Sequence, residues 1–218
     1  MAKRFDLIVF DWDGTLLDST GAIVYALQAA CRDLGLPEPP DVLARHVIGL
    51  GLADALRLCA PTLANDRSAE MSTRYKHHYL ARDHELCLFE GAAELIGELH
   101  AAGFLLAVAT GKSRLGLDRA LKNSGLGEYF SATRCVDECY SKPHPQMLDE
   151  LLHELSVPAE RALMIGDTTH DLQMAINAGV GALAVDYGAH PASELDALRP
   201  LARLQDVGEL ADWLRRHA

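Results

Sequence analysis

Asp11-Trp12-Asp13-Gly14-Thr15, entered directly from the apolar run Leu7-Ile8-Val9-Phe10, is the stretch that decides the fold. Four apolar residues are too few for a helix and suit a buried strand. The chain then leaves that strand and sets two carboxylates, two positions apart, on the turn that follows. Side chains at i and i+2 of an extended segment share one side, so Asp11 and Asp13 can face one small volume. Two like charges held that close are costly unless a cation or a shared proton intervenes. Gly14 allows a sharp backbone turn and lets its N–H approach a ligand with no Cβ in the way. The simplest purpose of such a site is to hold a divalent cation and use one carboxylate as a nucleophile. Alone, the pair also reads as an ordinary acidic turn; three stretches downstream argue against that.

The same strand-then-turn pattern recurs. Residues 104–109, 161–165 and 180–185 read as strands ending at Thr110-Gly111, Gly166-Asp167 and Asp186-Tyr187-Gly188, and residues 131–136 form a weaker candidate. Helical spacing fills the intervals at 92–102, 113–124, 145–155 and 168–178, with glycine stops at Gly103, Gly125 and Gly179 and a proline start at Pro145. A final amphipathic helix is expected at 206–216. Strands alternating with helices predict an α/β fold, a Rossmann-like parallel sheet with helices on both faces. Ligands then bind beyond the carboxyl ends of the strands, where the strand order reverses. One segment breaks the alternation. Residues 20–88 carry no convincing strand, and Ile23, Leu27 and Ala30, then Leu52, Leu56 and Cys59, fall at helical spacing. The expected organisation is a core of residues 1–19 and 89–218 with a helical cap, 20–88, inserted after the first strand.

Composition narrows the function class. Of 218 residues 49% are hydrophobic, which supplies a packed interior and excludes disorder. A net charge of -11, from 31 acidic and 20 basic residues, argues against a nucleic-acid binder. Any phosphorylated substrate must be drawn in by a local cation and a few lysines. Lys3 and Arg4 precede an apolar run too short for a signal-peptide core, and no stretch reaches membrane-span length. The five cysteines, Cys31, Cys59, Cys87, Cys135 and Cys139, are odd in number and lack paired CxxC spacing, so free thiols in a cytoplasmic protein are expected.

Three further stretches carry chemistry. In Ala109-Thr110-Gly111-Lys112-Ser113 a hydroxyl, a bare backbone and a helix start together form an anion site. Thr110 Oγ and the Gly111 N–H would hold phosphate oxygens; the alternative is a plain N-cap. Lys112 is left free to point outward. In Ser141-Lys142-Pro143-His144-Pro145 the proline restricts the lysine's backbone, and one ammonium there balances carboxylates and a transferring phosphoryl group. In Gly166-Asp167-Thr168-Thr169-His170-Asp171, Asp167 ends a strand and supplies a further carboxyl ligand. Asp171, a helical turn later, faces the same way and either coordinates directly, stands behind the ligands or stabilises the helix start. His170 points elsewhere and is not expected to be a ligand.

These four stretches, DWDGT, ATGKS, SKPHP and GDTTHD, match in order the motifs of the haloacid dehalogenase-like hydrolase superfamily. The resemblance spans residues 5–190, and the helical insertion resembles the cap of the phosphoglycolate phosphatase-like branch. It implies that Asp11 is the nucleophile forming an aspartyl-phosphate and Asp13 the general acid–base. It implies that Thr110 and Lys142 bind phosphoryl oxygens, and that Asp11, the backbone carbonyl of Asp13, and Asp167 hold Mg²⁺ with Asp171 behind them. An aspartate at position 13 argues for phosphate esters over carbon–halogen or carbon–phosphorus bonds. In the cap, His46-Val47-Ile48-Gly49-Leu50-Gly51 reads as a loop over the active site, with Gly49 and Gly51 close to substrate, or as a helix–helix turn. Arg74, Tyr75, Lys76, His77 and His78 read as a substrate-facing cluster or a solvated helix face. The function implied is a Mg²⁺-dependent phosphatase acting on a small phosphorylated metabolite, 2-phosphoglycolate first among them. The alternatives are a phosphomutase of the same fold and a catalytically quiet regulatory relative.

Overall fold

β1 (Leu7–Phe10) is fully buried along its length, as its unbroken apolar run requires. In a computed structural model that describes residues 3–218, it lies at the middle of a six-stranded, all-parallel sheet. The other strands are β2 (Leu105–Thr110), β3 (Ala132–Cys135), β4 (Ala162–Gly166), β5 (Gly181–Val185) and β6 (Ala202–Leu204). Their order is β3-β2-β1-β4-β5-β6. β1 pairs with β2 on one side, Phe10 against Val108, and with β4 on the other, Phe10 against Ile165. The order therefore reverses at β1, and the ends of β1, β2 and β4 open onto one crevice.

Alternation along β1 feeds two cores. Ile8 and Phe10 pack towards α5 (Ala92–Ala101), α6 (Arg114–Ser124) and α10 (Val207–His217). Leu7 and Val9 pack towards α7 (Gln146–Leu155), α8 (Thr169–Ala178) and α9 (Ala192–Ala197). The edge strand β6 and the short α9 are absent from the sequence reading, because three and six residues offer too little periodicity to register.

Between β1 and α5 the chain forms α1 (Thr20–Asp33), α2 (Asp41–His46), α3 (Leu52–Cys59) and α4 (Ser68–Ala81). These helices share a third apolar cluster, with Val24, Leu27, Ala44, Leu56 and Met71 at its centre. An isolated bridge, Leu17 to Leu88, closes the stem by which this layer leaves and rejoins the sheet. Among the described residues no helix is long and apolar enough to cross a membrane.

Candidate active site

The residues that follow β1 and β4, and the last residue of β2, deliver functional side chains to the crevice. Asp11 follows β1, and its backbone N–H donates to the Ile165 carbonyl of β4, so the carboxylate position is fixed by the sheet. Asp11 Oδ1 accepts from the Trp12 N–H at 2.7 Å and lies 2.8 Å from Lys142 Nζ. Its Oδ2 is buried and has no hydrogen-bond partner. Asp167, which follows β4, is also buried; Thr15 Oγ1 donates to its Oδ1 at 2.9 Å and the Ala189 N–H to its Oδ2 at 2.8 Å. Asp171 accepts from the Thr168 N–H and Oγ1 at Oδ2, a capping box that opens α8, and from Lys142 Nζ at Oδ1 at 2.6 Å.

Asp11, Asp167 and Asp171 each present a carboxylate oxygen within 4.8 Å of the others. The Asp13 carboxylate is not part of that group; it faces Ser19 Oγ at 2.6 Å and Lys112 Nζ at 2.9 Å. The electrostatics follow from burial. Desolvation pushes the Asp11 carboxyl up to about 7 despite the attraction of Lys142, with the Asp171 and Asp13 charges adding to the rise. Desolvation, then Asp171 and Asp11, raise Asp167 well above the carboxylate range. Lys142 is the counterweight: burial alone would favour its neutral form, but Asp11 and Asp171 more than reverse this and keep it an ammonium. One lysine against three carboxylates leaves an excess of negative charge and a buried oxygen without a donor. Hard oxygen donors in that state suit a magnesium-like cation.

Glycines shape the walls. At Gly14 (φ +78°) and at Gly188, an added Cβ would collide with the Asp167 carboxylate. The Gly14 N–H is engaged inside the turn, donating to the Leu17 carbonyl at 2.9 Å, so the expectation that this amide meets a ligand is corrected. Thr110, buried at the end of β2, accepts from the Lys112 N–H at 3.2 Å. It is not the N-cap of α6, a place taken by Ser113, whose Oγ accepts from the Gly116 N–H. Gly111 lies under the helical layer: a Cβ there would meet the Gly49 and Leu50 carbonyls at 2.6 Å.

Lys112 points inward, not outward. Its ammonium reaches Tyr79 OH at 3.0 Å as well as Asp13, joining α4 to the end of β2. Burial by itself would deprotonate Lys112; Asp13 and Tyr79 outweigh it and hold the charge. The loop at 46–51 meets the core directly. Gly51 donates its N–H to Ser141 Oγ at 2.9 Å, and the His46 carbonyl lies 2.8 Å from His170 Nε2 and 3.1 Å from His190 Nε2. Gly49 lines the cavity between the two layers, and Gly51 packs on Val136 and Ser141 beside it. The basic cluster divides: Tyr75 and Lys76 line the cavity, His78 pairs with Asp33 at 2.8 Å, and Arg74 and His77 face solvent. Sequence reasoning missed Lys112, Ser19, Tyr79, Gly188 and His190. The adjacency of Lys112 to Thr110-Gly111 and the closeness of Ser19 to Asp13 were the available signals; Tyr79, Gly188 and His190 meet the site from remote parts of the chain.

A family model for haloacid dehalogenase-like hydrolases matches residues 8–185, which include the ends of β1, β2 and β4. The chain belongs to that family. A probable phosphatase, IndB, from Dickeya dadantii is 34% identical over 94% of this chain and 91% of its own length. A phosphoglycolate phosphatase from Vibrio cholerae is 31% identical over 96% of this chain and 97% of its own. The crystal structure of a predicted phosphoglycolate phosphatase from Haemophilus somnus superposes with a TM-score of 0.86 at 23% identity, over 99% of both chains, which shows the shared fold. The haloacid dehalogenase-like chain described here is accordingly an enzyme of the phosphatase kind.

Proposed function

We propose that this haloacid dehalogenase-like phosphatase hydrolyses the phosphomonoester of a small metabolite, in a Mg²⁺-dependent reaction through an aspartyl-phosphate on Asp11. The observation that carries the reading is the half-satisfied Asp11: Oδ1 is held by Trp12 and Lys142 while the buried Oδ2 has no partner. A nucleophile needs that combination of fixed direction and free lone pair. Asp11 attacks phosphorus, the bond from phosphorus to the ester oxygen breaks, and Asp13 gives the departing alcohol its proton. Asp13 then takes a proton from water, which attacks the aspartyl-phosphate and releases inorganic phosphate and the Asp11 carboxylate. Lys142 and Thr110 hold the non-bridging oxygens. Asp11, Asp167 and the Asp13 backbone carbonyl would hold Mg²⁺, with Asp171 behind them orienting Lys142. When bound, the cation supplies positive charge that offsets the phosphoryl group. With a cation beside it, Asp11 would stay ionised where burial alone favours the acid. Residues 20–88 act as the cap over residues 1–19 and 89–218, excluding water and admitting the leaving group.

The names of its relatives make 2-phosphoglycolate the reference ester. The test is a panel of phosphorylated metabolites assayed with Mg²⁺ and with excess chelator, ranked by kcat/KM. Phosphate release that needs Mg²⁺ and no bisphosphate activator is expected. Isomerisation of a sugar phosphate in place of phosphate release would favour the phosphomutase alternative, and full activity in chelator would overturn the metal assignment.

A further inference from the structure

The cavity that begins at Asp11 and Asp13 does not end at the phosphate site. It continues between the helical layer and the core to a volume of about 700 Å³. Phosphoglycolate has about nine non-hydrogen atoms; at roughly 30 Å³ each, the share of one liquid water, it takes up at most about 270 Å³. The two layers are joined in three places beside this space, and its mouth is open to solvent. Lys112 bridges Asp13 and Tyr79, Gly51 is bonded to Ser141, and the His46 carbonyl is held by His170 and His190.

The lining beyond the carboxylates is mixed, with more apolar than polar surface. Ile23 and Leu27 of α1, Leu56 of α3 and Tyr75 of α4 form its walls. Leu80 of α4 and Leu115 of α6 also line it, yet are 45% and 76% exposed, so two large apolar side chains from opposite layers face one space with nothing over them. Of the four lysines and arginines in the lining, three are already paired: Arg57 with Asp54 at 2.9 Å, Arg119 with Asp83 at 3.0 Å, and Lys112 with Asp13; the exposed Lys76 has no ion-pair partner among the described residues. With one unpaired ammonium, Lys76, on its exposed side, the rest of the space is walled mainly by carbon and suits an apolar group.

We propose that the alcohol half of the natural ester is a bulky, predominantly apolar group seated between α1, α3 and α4, rather than the two-carbon acid of phosphoglycolate. This rests on the phosphatase reading above. The test is kcat/KM with Mg²⁺ for 2-phosphoglycolate and for ethyl, butyl, hexyl and 2-phenylethyl phosphates, whose leaving alcohols are chemically alike. Each methylene buried in the transition state is expected to raise kcat/KM about fourfold, so hexyl should exceed ethyl phosphate by on the order of 100-fold. Ser72 lines the cavity from α4 and takes no part in the chemistry. Ser72→Trp should flatten the series, bringing the hexyl-to-ethyl ratio of kcat/KM towards one. A flat series in the native protein, or 2-phosphoglycolate preferred over hexyl phosphate, overturns the proposal. A parallel arm titrates ethylphosphonate and hexylphosphonate into the native protein by calorimetry, which depends on neither turnover nor a folded variant. Tighter hexylphosphonate binding with no ester hydrolysed would support the apolar site and sink the phosphatase reading; equal binding would overturn the apolar site.

Discussion

Each carboxylate at the strand ends owes its character to its neighbours. Asp11 and Asp13 share a turn, yet Asp11 lies with Lys142, Asp167 and Asp171 while Asp13 lies with Ser19 and Lys112. Two environments for two adjacent carboxylates suit two roles, nucleophile and acid–base. Lys112 then becomes a positioning residue: it holds Asp13 Oδ1 and ties it to Tyr79 of the helical layer. Lys112→Met should lower kcat/KM by on the order of 10²-fold on every ester, since a misplaced acid–base group costs about that much. Lys112→Arg should recover part of the loss, which a packing role alone would not explain. Wild-type kcat/KM in a folded Lys112→Met protein would show that the pair does not position Asp13.

At the scale of elements, the seam between the helical layer and the sheet is built from close backbone approaches. Gly49 sits at φ +91° with Thr168 3.1 Å from where its Cβ would be, and a Cβ on Gly51 would press on Val136 at 2.5 Å. A β-branched residue at positive φ costs roughly 1–3 kcal/mol. Gly49→Val, through that strain, and Gly51→Val, through its clash with Val136, should impair closure and lower kcat/KM on small and bulky esters alike; a change in ester preference at constant overall activity would point to substrate contact instead. The same seam is acid-sensitive. Burial, then His170 and His46, lower the His190 imidazole to about 4 from an ordinary value of 6.5. A depressed histidine contributes least above its unfolded value and disfavours the folded state as pH falls between about 6.5 and about 4, by up to ~1.4 kcal/mol per pH unit. Over that window His190→Gln should unfold with a flatter pH dependence than the native protein, by denaturant titration; parallel curves would show that His190 protonates freely in the fold.

The strands and their carboxyl ends were legible in sequence because parallel strands buried on both faces read as apolar runs that stop at polar turns. β1, β2, β4 and β5 lie within a residue or two of expectation, and so do the helices that follow β2 and β4. β6 and α9 were too short to read. The inward turn of Lys112, the engaged Gly14 amide and the His46–His170–His190 contact were not legible, since each depends on which distant backbone or side chain arrives beside it. Local pattern gives the side of a sheet on which a residue emerges; it does not give the partner.

For the whole molecule, three buried carboxylates against one lysine, within a chain of net charge -11, oppose folding wherever they ionise. A cation bound only by the folded state stabilises by about 2.7 kcal/mol at a hundredfold excess over Kd. For a protein of this size that corresponds to a Tm rise of roughly 5–10 °C. The sign with pH follows from Asp11 and Asp167, both raised. Each retains its proton in the fold above the unfolded value, so without metal that favourable contribution is lost as pH rises, through about 7 for Asp11. Protons and Mg²⁺ compete for the same oxygens, and the Mg²⁺-induced Tm shift should grow from pH 5 to pH 8 in calorimetry. A shift that is absent, or that shrinks with rising pH, would place the cation elsewhere.

The central claim is that the phosphoryl group passes through Asp11, and covalent trapping tests it most directly. Enzyme mixed with Mg²⁺ and its best ester, quenched within a single turnover and reduced with borohydride, should carry homoserine in place of Asp11 in the peptide that contains it. The conversion should require both substrate and Mg²⁺, and Asp11→Asn, folded as judged by its Tm, should show neither trapping nor turnover. Phosphate released while Asp11 stays unmodified at every quench time, with Asp11→Asn turning over normally, would contradict the account.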